Sequence, residues 1–322
     1  MCSGPLRLGI VGLGRWGRNF VRTIDALDGV SLAAVASRNP DAKALLAPSC
    51  AVMTEWRELL TIPKLDGIVV ATPPESHAEI LIAAVEAGLP VLIEKPLAAS
   101  RTAGHAIEAA LRQRAAIVVV DHTHLFAPGF RMLRHEAAGM GRLRRICASA
   151  GNHGPYRADV SVLWDWAPHD IAMALTLAPG PARARTARCV ERQLFGGVAA
   201  ERLTLEVELA GAVPAYIQVS TLNDRHRWFA AVFEAGTLVY RDGNASKLVR
   251  LPPNAEIQST VGQPIWVADE MPLTRAVLDF MRAIRTNDTD RTSLELGLAV
   301  TELIADLDDM LHTDVEGLSA AP

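Results

Sequence analysis

The first 125 or so residues alternate short, almost wholly apolar runs with longer segments that have a helical pattern. Continuous apolar runs of this length are typical of strands that are buried on both faces of a parallel sheet. We predict five such strands, at residues 6–11, 30–36, 66–71, 91–94 and 116–120. Helices are predicted between them, at residues 16–27, 76–87 and 101–114. Strands that alternate with helices indicate βαβ units and a doubly wound parallel sheet.

The pattern changes after about residue 125. Long β-prone runs follow at residues 142–151, 201–209, 214–222 and 228–240. Such runs are typical of a mostly antiparallel, open sheet. Helices are predicted at residues 128–138, 164–177, 272–286 and 293–311. We therefore divide the chain into a doubly wound α/β domain at residues 1–124 and an α+β domain at residues 125–322.

Composition argues against several classes of protein. The chain has 322 residues and a net charge of −4 at pH 7, which gives no broad attraction to nucleic acid. Its apolar runs fall far short of the ~18 residues of a membrane-spanning helix, and its N-terminus lacks the pattern of a signal peptide. Its four cysteines are scattered without metal-ligand spacing. We therefore expect a cytoplasmic protein with reduced thiols, no metal site, and no membrane or nucleic-acid partner.

A glycine motif lies between the first predicted strand and the first predicted helix. Gly12, Gly14 and Gly17 form G-x-G-x-x-G, with Arg15 and Trp16 inside it. Gly12 permits a tight turn, Gly14 lets a pyrophosphate approach the backbone, and Gly17 lets the helix pack closely on the strand. The N–H groups at the start of the helix favour phosphate. The motif predicts that the first domain is a Rossmann dinucleotide-binding domain, with these five residues at the cofactor.

The end of the second predicted strand bears on the choice of dinucleotide. NAD-selective sites commonly have an acidic residue there, whereas this chain has Ser37 and Arg38. A hydroxyl and a guanidinium would bind a 2′-phosphate, so we predict NADP(H) as the preferred cofactor and NAD(H) as the second candidate. In the alternative interpretation, Arg38 stacks on the adenine or faces water.

Further polar residues follow the third predicted strand, at the edge where open α/β sheets bind ligands. Thr72 and Pro73 are predicted to lie beside the cofactor, and Ser76 is expected to cap the next helix. His77 is a further candidate for cofactor contact. A histidine in a first helical turn can equally be structural.

Two other segments carry groups suited to chemistry. Glu94 and Lys95 end the fourth predicted strand, where the lysine can hold a hydroxyl or carbonyl oxygen by its charge, or can be an exposed turn residue. Asp165 and His169 are four residues apart, so one helical face can carry both. Histidine is the usual general acid or base, and a nearby carboxylate can orient it. The alternative for this pair is a plain helix start capped by the aspartate.

Taken together, these segments resemble the Gfo/Idh/MocA oxidoreductase family, named for glucose–fructose oxidoreductase and inositol dehydrogenase. The resemblance rests on an ordered set of motifs: residues 12–17, Thr72-Pro73 with His77, Glu94-Lys95-Pro96, Phe126-x-Pro128 and Asp165-x-x-x-His169. It implies a Rossmann domain followed by an α/β domain whose open sheet often supports dimers or tetramers. It also implies that Lys95, Asp165 and His169 are catalytic and that the Lys95–Pro96 peptide bond is cis.

The resemblance implies an activity as well. Family members mostly oxidise or reduce a hydroxyl-bearing carbon of sugars, inositols or nucleotide-linked sugars, with hydride exchanged at the nicotinamide. The run at residues 162–170 is similar to members that act on nucleotide-linked or amino sugars. Asn152, Tyr156 and Arg157 are candidate contacts to a polyhydroxylated small-molecule substrate. Two alternatives stay open: a reductase of a non-sugar carbonyl or imine, and a dinucleotide-binding sensor without catalysis.

The predicted strands of the second half favour self-association. Residues 214–222 and 228–235 carry apolar side chains at both alternations, Tyr216 and Ile217 among them. A sheet with one face in water should alternate polar and apolar residues, so a second cover is expected. We predict a homodimer or homotetramer built on the open face of this sheet.

Overall fold

The computed structural model describes residues 4–319, and their side chains as far as residue 312. The strands are β1 (Leu6–Val11), β2 (Val30–Ala36), β3 (Ala51–Met53), β4 (Gly67–Val70), β5 (Val91–Glu94), β6 (Val118–Asp121), β7 (Leu143–Gly151), β8 (Arg183–Phe195), β9 (Val198–Leu209), β10 (Val213–Ser220), β11 (His226–Phe233), β12 (Gly236–Arg241), β13 (Leu248–Leu251) and β14 (Gln263–Ile265). The helices are α1 (Arg15–Asp25), α2 (Trp56–Leu59), α3 (His77–Glu86), α4 (Arg101–Leu111), α5 (Thr123–Phe126), α6 (Pro128–Ala137), α7 (Val162–Leu177), α8 (Pro272–Thr286) and α9 (Thr292–Ser319). Short 3-10 helices lie at Ala42–Leu45, Pro74–Ser76 and Ala210–Ala212.

The chain forms two compact units, each with its own sheet. The first unit holds residues 1–123 and 271–301, and the second holds residues 124–270 and those from 302 onward. The first unit contains a six-stranded parallel sheet of order β3-β2-β1-β4-β5-β6. This is the strand order of the dinucleotide-binding Rossmann fold, so the predicted doubly wound sheet is confirmed.

Both faces of this parallel sheet are covered, which explains its continuous apolar strands. On one face, Phe20 of α1 and Phe280 of α8 join a buried cluster with Leu8 and Ile10 of β1. A second cluster joins residues of α3 and α4 to other strand residues, among them Ile68 of β4. β1 therefore lies at the centre of the unit, and the loop that follows it begins from a rigid strand.

The composition of the first unit differs from the division drawn on sequence. That division kept all of residues 125–322 together, whereas the structure groups α8 and the first part of α9 with residues 1–123. The physical reason is the apolar face of α8: Leu273, Val277 and Phe280 are buried in the core beside β1 and α1. An amphipathic pattern indicates a helix with one buried face, but it does not say which sheet that face covers.

The second unit is built on an eight-stranded sheet of order β14-β13-β12-β11-β7-β10-β9-β8. β7 and β10 pair in parallel and the other neighbours pair antiparallel, so the predicted mostly antiparallel sheet is confirmed. Helix α7 packs against β7, β9 and β10, and α6 packs against β12 and β13. The helices cover the face that carries Ile217 and Phe229, which are 3% and 0% exposed.

The opposite face of this sheet is only partly apolar. Near its centre Ala230, Val239 and Val249 are buried, with Ala255 and Ile257 from the segment after β13 packed on them. Towards β9 the strands carry Thr204 and Glu206 instead, while Tyr216 of β10 is 46% exposed. The expectation of two apolar faces is therefore wrong for part of residues 214–222, because Gln218 of β10, paired with Thr204, lies on this face.

Most predicted elements are found within a few residues of their expected ends, with informative exceptions. The run predicted as one strand at residues 228–240 is two strands, because β11 and β12 are joined by a tight turn before Gly236, whose φ is 138°. Strands β3, β8, β13 and β14 were not predicted. Among the described residues, the structure has no helix with the length and apolar character needed to cross a membrane.

Candidate active site

The glycine motif forms a tight cradle between β1 and α1. Gly12 has a φ of +97°, and a Cβ there would lie 2.7 Å from the carbonyl oxygen of Ala71. A Cβ on Gly17 would lie 2.0 Å from the carbonyl oxygen of Gly12, so neither position accepts a side chain. Gly14 begins α1 as its N-cap, and a Cβ there would meet no described atom within 4 Å. The motif thus brings chain segments together at Gly12 and Gly17, and leaves open space in front of the helix at Gly14.

The residues beside this cradle face solvent in part. Arg15 is exposed and Trp16 is 40% exposed at the start of α1. After β2, the backbone N–H of Ser37 donates to Met53, and the Ser37 hydroxyl accepts from the N–H of Asn39 at 3.1 Å. The turn this makes leaves Arg38 exposed. A serine hydroxyl that accepts one bond keeps its own proton to donate, so both residues can meet a phosphate.

The loop after β4 is held together by side-chain hydrogen bonds. The Ser76 hydroxyl donates to the Thr72 hydroxyl at 2.8 Å, although this serine was expected to cap α3, and no side-chain cap bond forms there. His77 Nδ1 lies 2.8 Å from the carbonyl oxygen of Pro96, and Nε2 lies 2.9 Å from that of Thr72. Burial lowers the pKa of His77, against the two backbone bonds.

The geometry of His77 favours the structural alternative over the cofactor contact predicted for it. Its side chain is fully buried, and both ring nitrogens already face backbone carbonyls. It ties the loop that carries Thr72 and Pro73 to the turn at Lys95 and Pro96. The structural alternative considered for this residue is the one that the geometry supports.

Lys95 follows directly on the buried strand β5. Glu94 is 5% exposed, and its Oε2 accepts from the backbone N–H of Lys95 at 3.2 Å. The Lys95–Pro96 peptide bond is cis, as predicted. The Lys95 side chain is half-buried. Burial is the main influence on the pKa of His77, Asp121 and His122, and the positive charge of Lys95 acts on all three towards a lower pKa. The charge of Lys95 thus acts on three titratable side chains at this edge of the sheet.

Asp121 and His122 were not predicted, yet they lie at the same edge. Asp121 ends β6 opposite Glu94 of β5 and is fully buried. Burial raises the pKa of Asp121 to about 7, against the opposing influence of Thr123 and Lys95. Burial, with Lys95, also lowers the pKa of His122 to about 3. Within the described residues, neither side chain makes a hydrogen bond of normal geometry. Lys95 was predicted as a site residue because it follows the end of a predicted strand. Asp121 and His122 also lie at the end of a predicted strand, so the same criterion could have identified them.

In the second unit, Asp165 and His169 lie on α7. The helix begins at Val162, and the hydroxyl of its N-cap Ser161 accepts from the backbone N–H of Trp164 at 3.4 Å. Asp165 is therefore in the first turn. Pro168 lies inside the helix, in its second turn. The four-residue spacing places Asp165 and His169 on the same face, as predicted.

Arg157 lies beside this aspartate. Its Nη1 donates to Asp165 at 3.4 Å, while Nε and Nη2 donate to Asp159 at 3.0 and 2.7 Å. Tyr156 stacks on Phe195, with ring centroids 4.4 Å apart and nearly parallel planes. An open pocket near them is lined by Pro155, Tyr156, Arg157, Val160, Ser161, Val162, Asp165, Trp166, Ala199 and Thr221. Asn152, the other predicted substrate contact, follows β7 and does not line this pocket.

A second imidazole accompanies His169. The rings of His124 and His169 meet edge to face, with centroids 4.8 Å apart and planes at 90°. His124 Nδ1 lies 3.1 Å from the phenol oxygen of Tyr240 on β12. The next residue of α7, Asp170, is fully buried, and Nη1 of Arg227 donates to both of its oxygens at 2.9 and 2.8 Å. His169, itself half-buried, thus contacts a second imidazole and is next in sequence to a buried ion pair.

Comparison with known proteins agrees with this architecture. A profile described as an oxidoreductase family with an NAD-binding Rossmann fold matches residues 6–122. A crystal structure from Magnetospirillum magnetotacticum MS-1, of a protein described as an oxidoreductase, is 38% identical. That match has a TM-score of 0.86 and covers 94% of this chain and 99% of the other. The chain belongs to the Gfo/Idh/MocA oxidoreductase family.

Curated proteins match over shorter stretches. Inositol 2-dehydrogenase of Acidiphilium cryptum is 33% identical over 135 residues, which is 40% of each chain. Inositol 2-dehydrogenase 4 of Saccharopolyspora erythraea is 32% identical over 165 residues, which is 48% of each chain. The match thus spans less than half the length of these two relatives.

The first unit fits the dinucleotide that the Gfo/Idh/MocA fold implies. The open space at Gly14 and the uncapped start of α1 present backbone N–H groups where phosphates would bind. Ser37 and Arg38 lie at the end of the neighbouring strand β2, within reach of an adenosine ribose in folds of this order. The residues present therefore fit a bound NAD(P).

Proposed function

We propose that this protein is an NAD(P)-dependent oxidoreductase that acts on a hydroxyl-bearing carbon of a sugar or nucleotide-linked sugar. The observation that carries the proposal is the pair Asp165 and His169 on one face of α7, in a chain whose other unit has a dinucleotide cradle with Lys95 at a strand end. Inositol dehydrogenases among the relatives support the class of substrate.

The proposed mechanism assigns one task to each side chain. The nicotinamide, when bound, supplies or accepts the hydride. His169 moves the proton of the substrate oxygen, as a general base in oxidation and a general acid in reduction. Lys95 stabilises negative charge that develops on that oxygen. Asp165, fixed by Arg157, orients His169 or grips a neighbouring hydroxyl.

The proposed substrate side is polar with an aromatic wall. Arg157 and Asp165 bring a donor and an acceptor to the pocket, and Tyr156, stacked on Phe195, adds an aromatic surface. A polyol offers hydroxyls that satisfy both kinds of partner, which favours it over a flat apolar carbonyl compound. Asn152 lies outside the pocket lining, so the proposed contacts in this pocket are Tyr156, Arg157 and Asp165.

The activity is tested by a substrate screen. Inositols, free sugars and nucleotide-linked sugars are offered to the full-length protein with NADP⁺ or NAD⁺, and formation of the reduced dinucleotide is read by absorbance. We expect turnover with at least one polyol. Dinucleotide binding without turnover across the set, in either direction, would contradict the proposal and favour a sensor.

Variants then test the roles of the side chains on the substrate so identified. His169→Ala and Lys95→Ala should each lower kcat on the order of a hundred-fold, as the loss of a general base or an oxyanion donor does. Because both roles concern one substrate oxygen, the two losses should not multiply in the double variant. Dinucleotide affinity should stay unchanged in His169→Ala. Full activity of His169→Ala would refute this mechanism.

A further inference from the structure

His124 and Tyr240 form a pair that the proposed mechanism does not use. His124 lies in the short helix α5 and is half-buried, with its ring edge to face with that of His169 at 4.8 Å. Its Nδ1 lies 3.1 Å from the hydroxyl of Tyr240. One nitrogen of His124 is thus fixed by β12 while the ring itself packs on α7. A contact of this kind restrains the rotation of both imidazoles.

Tyr240 is a rigid anchor for this contact. Its side chain is 2% exposed and packs against the ring of Phe130 at 6.4 Å. Gly129 makes room for it, because a Cβ at that position would lie 2.8 Å from the tyrosine ring. Burial is the largest influence on the pKa of Tyr240 and raises it, so the phenol keeps its proton at neutral pH. The O–H can therefore donate to Nδ1 of a neutral His124, which places the proton of that ring on Nε2.

We propose that His124, anchored by Tyr240, is a positioning residue for His169. The inference rests on the proposed role of His169 in proton transfer and adds a residue to it. His124 restrains the His169 ring in one orientation. Because two imidazoles this close resist carrying two positive charges, the state of one also affects the proton affinity of the other.

Other charged groups also act in this region. Asp165 shares the face of α7 with His169. Asp242, Arg227 and Asp170 act on Tyr240: the two carboxylates raise its pKa and the guanidinium lowers it. These groups remain in place when His124 is replaced. A change in the titration of His169 in such a variant therefore reports on His124.

The test uses NMR titration of the full-length protein with isotope-labelled histidine, which needs no substrate. His124→Phe keeps a ring against His169 but removes the second ionisable group, and Tyr240→Phe removes only the anchoring hydroxyl. We expect the pKa of His169 to shift by about half a unit or more in His124→Phe, because two imidazoles this close titrate as a coupled pair. In Tyr240→Phe we expect broadened or displaced His124 and His169 resonances. His135→Asn is the matched control, since His135 is exposed in the last turn of α6 and should leave His169 unchanged.

Kinetics separates this inference from the proposed function. On a substrate found in the screen, His124→Phe should lower kcat on the order of ten-fold, shift the pH profile and leave KM nearly unchanged, because misorientation affects the chemical step. An unchanged His169 titration in both variants, in proteins with native circular dichroism, would overturn the positioning role. Full activity of His169→Ala would instead refute the proposed mechanism, whatever the titrations of His124 variants show.

Discussion

At the scale of single residues, Asp121 combines a carboxyl group with complete burial beside Lys95. Its pKa in the folded protein is raised to about 7 from an ordinary value of 3.8. A raised carboxyl pKa means that the folded state holds the proton more tightly, so its contribution to stability is fully present below about pH 4. That contribution is lost as pH rises towards 7. Above pH 7 the buried carboxylate is charged and lowers the free energy of unfolding by a constant amount.

Asp121→Asn should therefore change the pH dependence of stability. Relative to wild type, the free energy of unfolding of the variant should increase between pH 4 and pH 7, by on the order of 1 kcal/mol or more, and then level off. Urea unfolding at several pH values measures this. Asp41→Asn is the control, because Asp41 is exposed. Parallel pH profiles for wild type and Asp121→Asn would show that Asp121 ionises normally.

Arg38 carries the prediction of cofactor preference. Its exposed guanidinium follows β2, with the Ser37 hydroxyl beside it and no acidic residue at positions 37–39. A charge-assisted bond contributes about 1.5–3 kcal/mol, so Arg38→Ala should weaken NADPH binding roughly ten- to a hundred-fold and leave NADH nearly unchanged. Fluorescence or calorimetric titration with both dinucleotides measures it, with exposed Arg22→Ala on α1 as control. Equal affinity of the wild type for the two would contradict the preference.

Residues defined by spacing were predicted more readily than residues defined by environment. Gly12, Gly14 and Gly17 follow from the steric demands of a turn and a close helix. His124 and Tyr240 are 116 residues apart in sequence and meet only through the sheet of the second unit. No local pattern marks such a contact. The same holds for His77, where only the positions of two carbonyls distinguish a structural from a cofactor-binding imidazole.

At the scale of elements, the buried pair of Asp170 and Arg227 fastens α7 to β11. Asp170 is 0% and Arg227 9% exposed. Burial is the main influence on the pKa of Asp170 and raises it, while Arg227 opposes this. A charge buried this deeply strongly destabilises the folded state when it has no partner, whereas a hydrogen-bonded ion pair at the same depth is tolerated. The bond should therefore matter less for net stability than for the register of α7, which carries Asp165 and His169.

Removing one partner of this pair should be strongly destabilising. Asp170→Ala should lower the free energy of unfolding by about 3–5 kcal/mol, because it leaves a buried guanidinium without its carboxylate. The double variant Asp170→Leu with Arg227→Met should recover most of that loss. Glu79→Ala, which breaks the exposed pair with Arg57, is the control and should cost at most about 1 kcal/mol. Equal losses in Asp170→Ala and Glu79→Ala would contradict the argument.

Elements were predictable where both faces are buried and less so at sheet edges. β2 and β5 are mostly apolar runs, and their bounds agree with the prediction. β8 is the edge strand of its sheet and carries Arg183, Arg185 and Arg188 with largely exposed positions between them. A strand that meets water on much of its surface needs few apolar residues. Its sequence therefore lacks the alternation on which the prediction depended.

At the scale of the whole molecule, sequence patterns indicated two units but not the path of the chain between them. The break after residue 123 coincides with a change from parallel to antiparallel pairing, which alters the pattern itself. Helix α8 belongs to the first unit, but the sequence pattern does not change where α8 begins. An amphipathic helix has the same pattern of apolar residues against either sheet. Only the packing of Phe280 in the core beside β1 reveals it.

The last prediction concerns self-association through the second sheet. On its face away from α7, Ala255 and Ile257 cover the apolar centre, and Tyr216 of β10 stays 46% exposed beside half-buried Glu206. An interface here would place an aromatic side chain within a polar surround, the composition typical of protein interfaces. We expect a homodimer or homotetramer in light scattering at micromolar protein, and a shift towards monomer in Tyr216→Glu, which would bury an unpaired charge. Leu45→Glu in the first unit, where Leu45 is 45% exposed, is the matched control and should keep the wild-type mass. A monomeric wild type would refute self-association, and an unchanged mass in Tyr216→Glu would place the interface elsewhere.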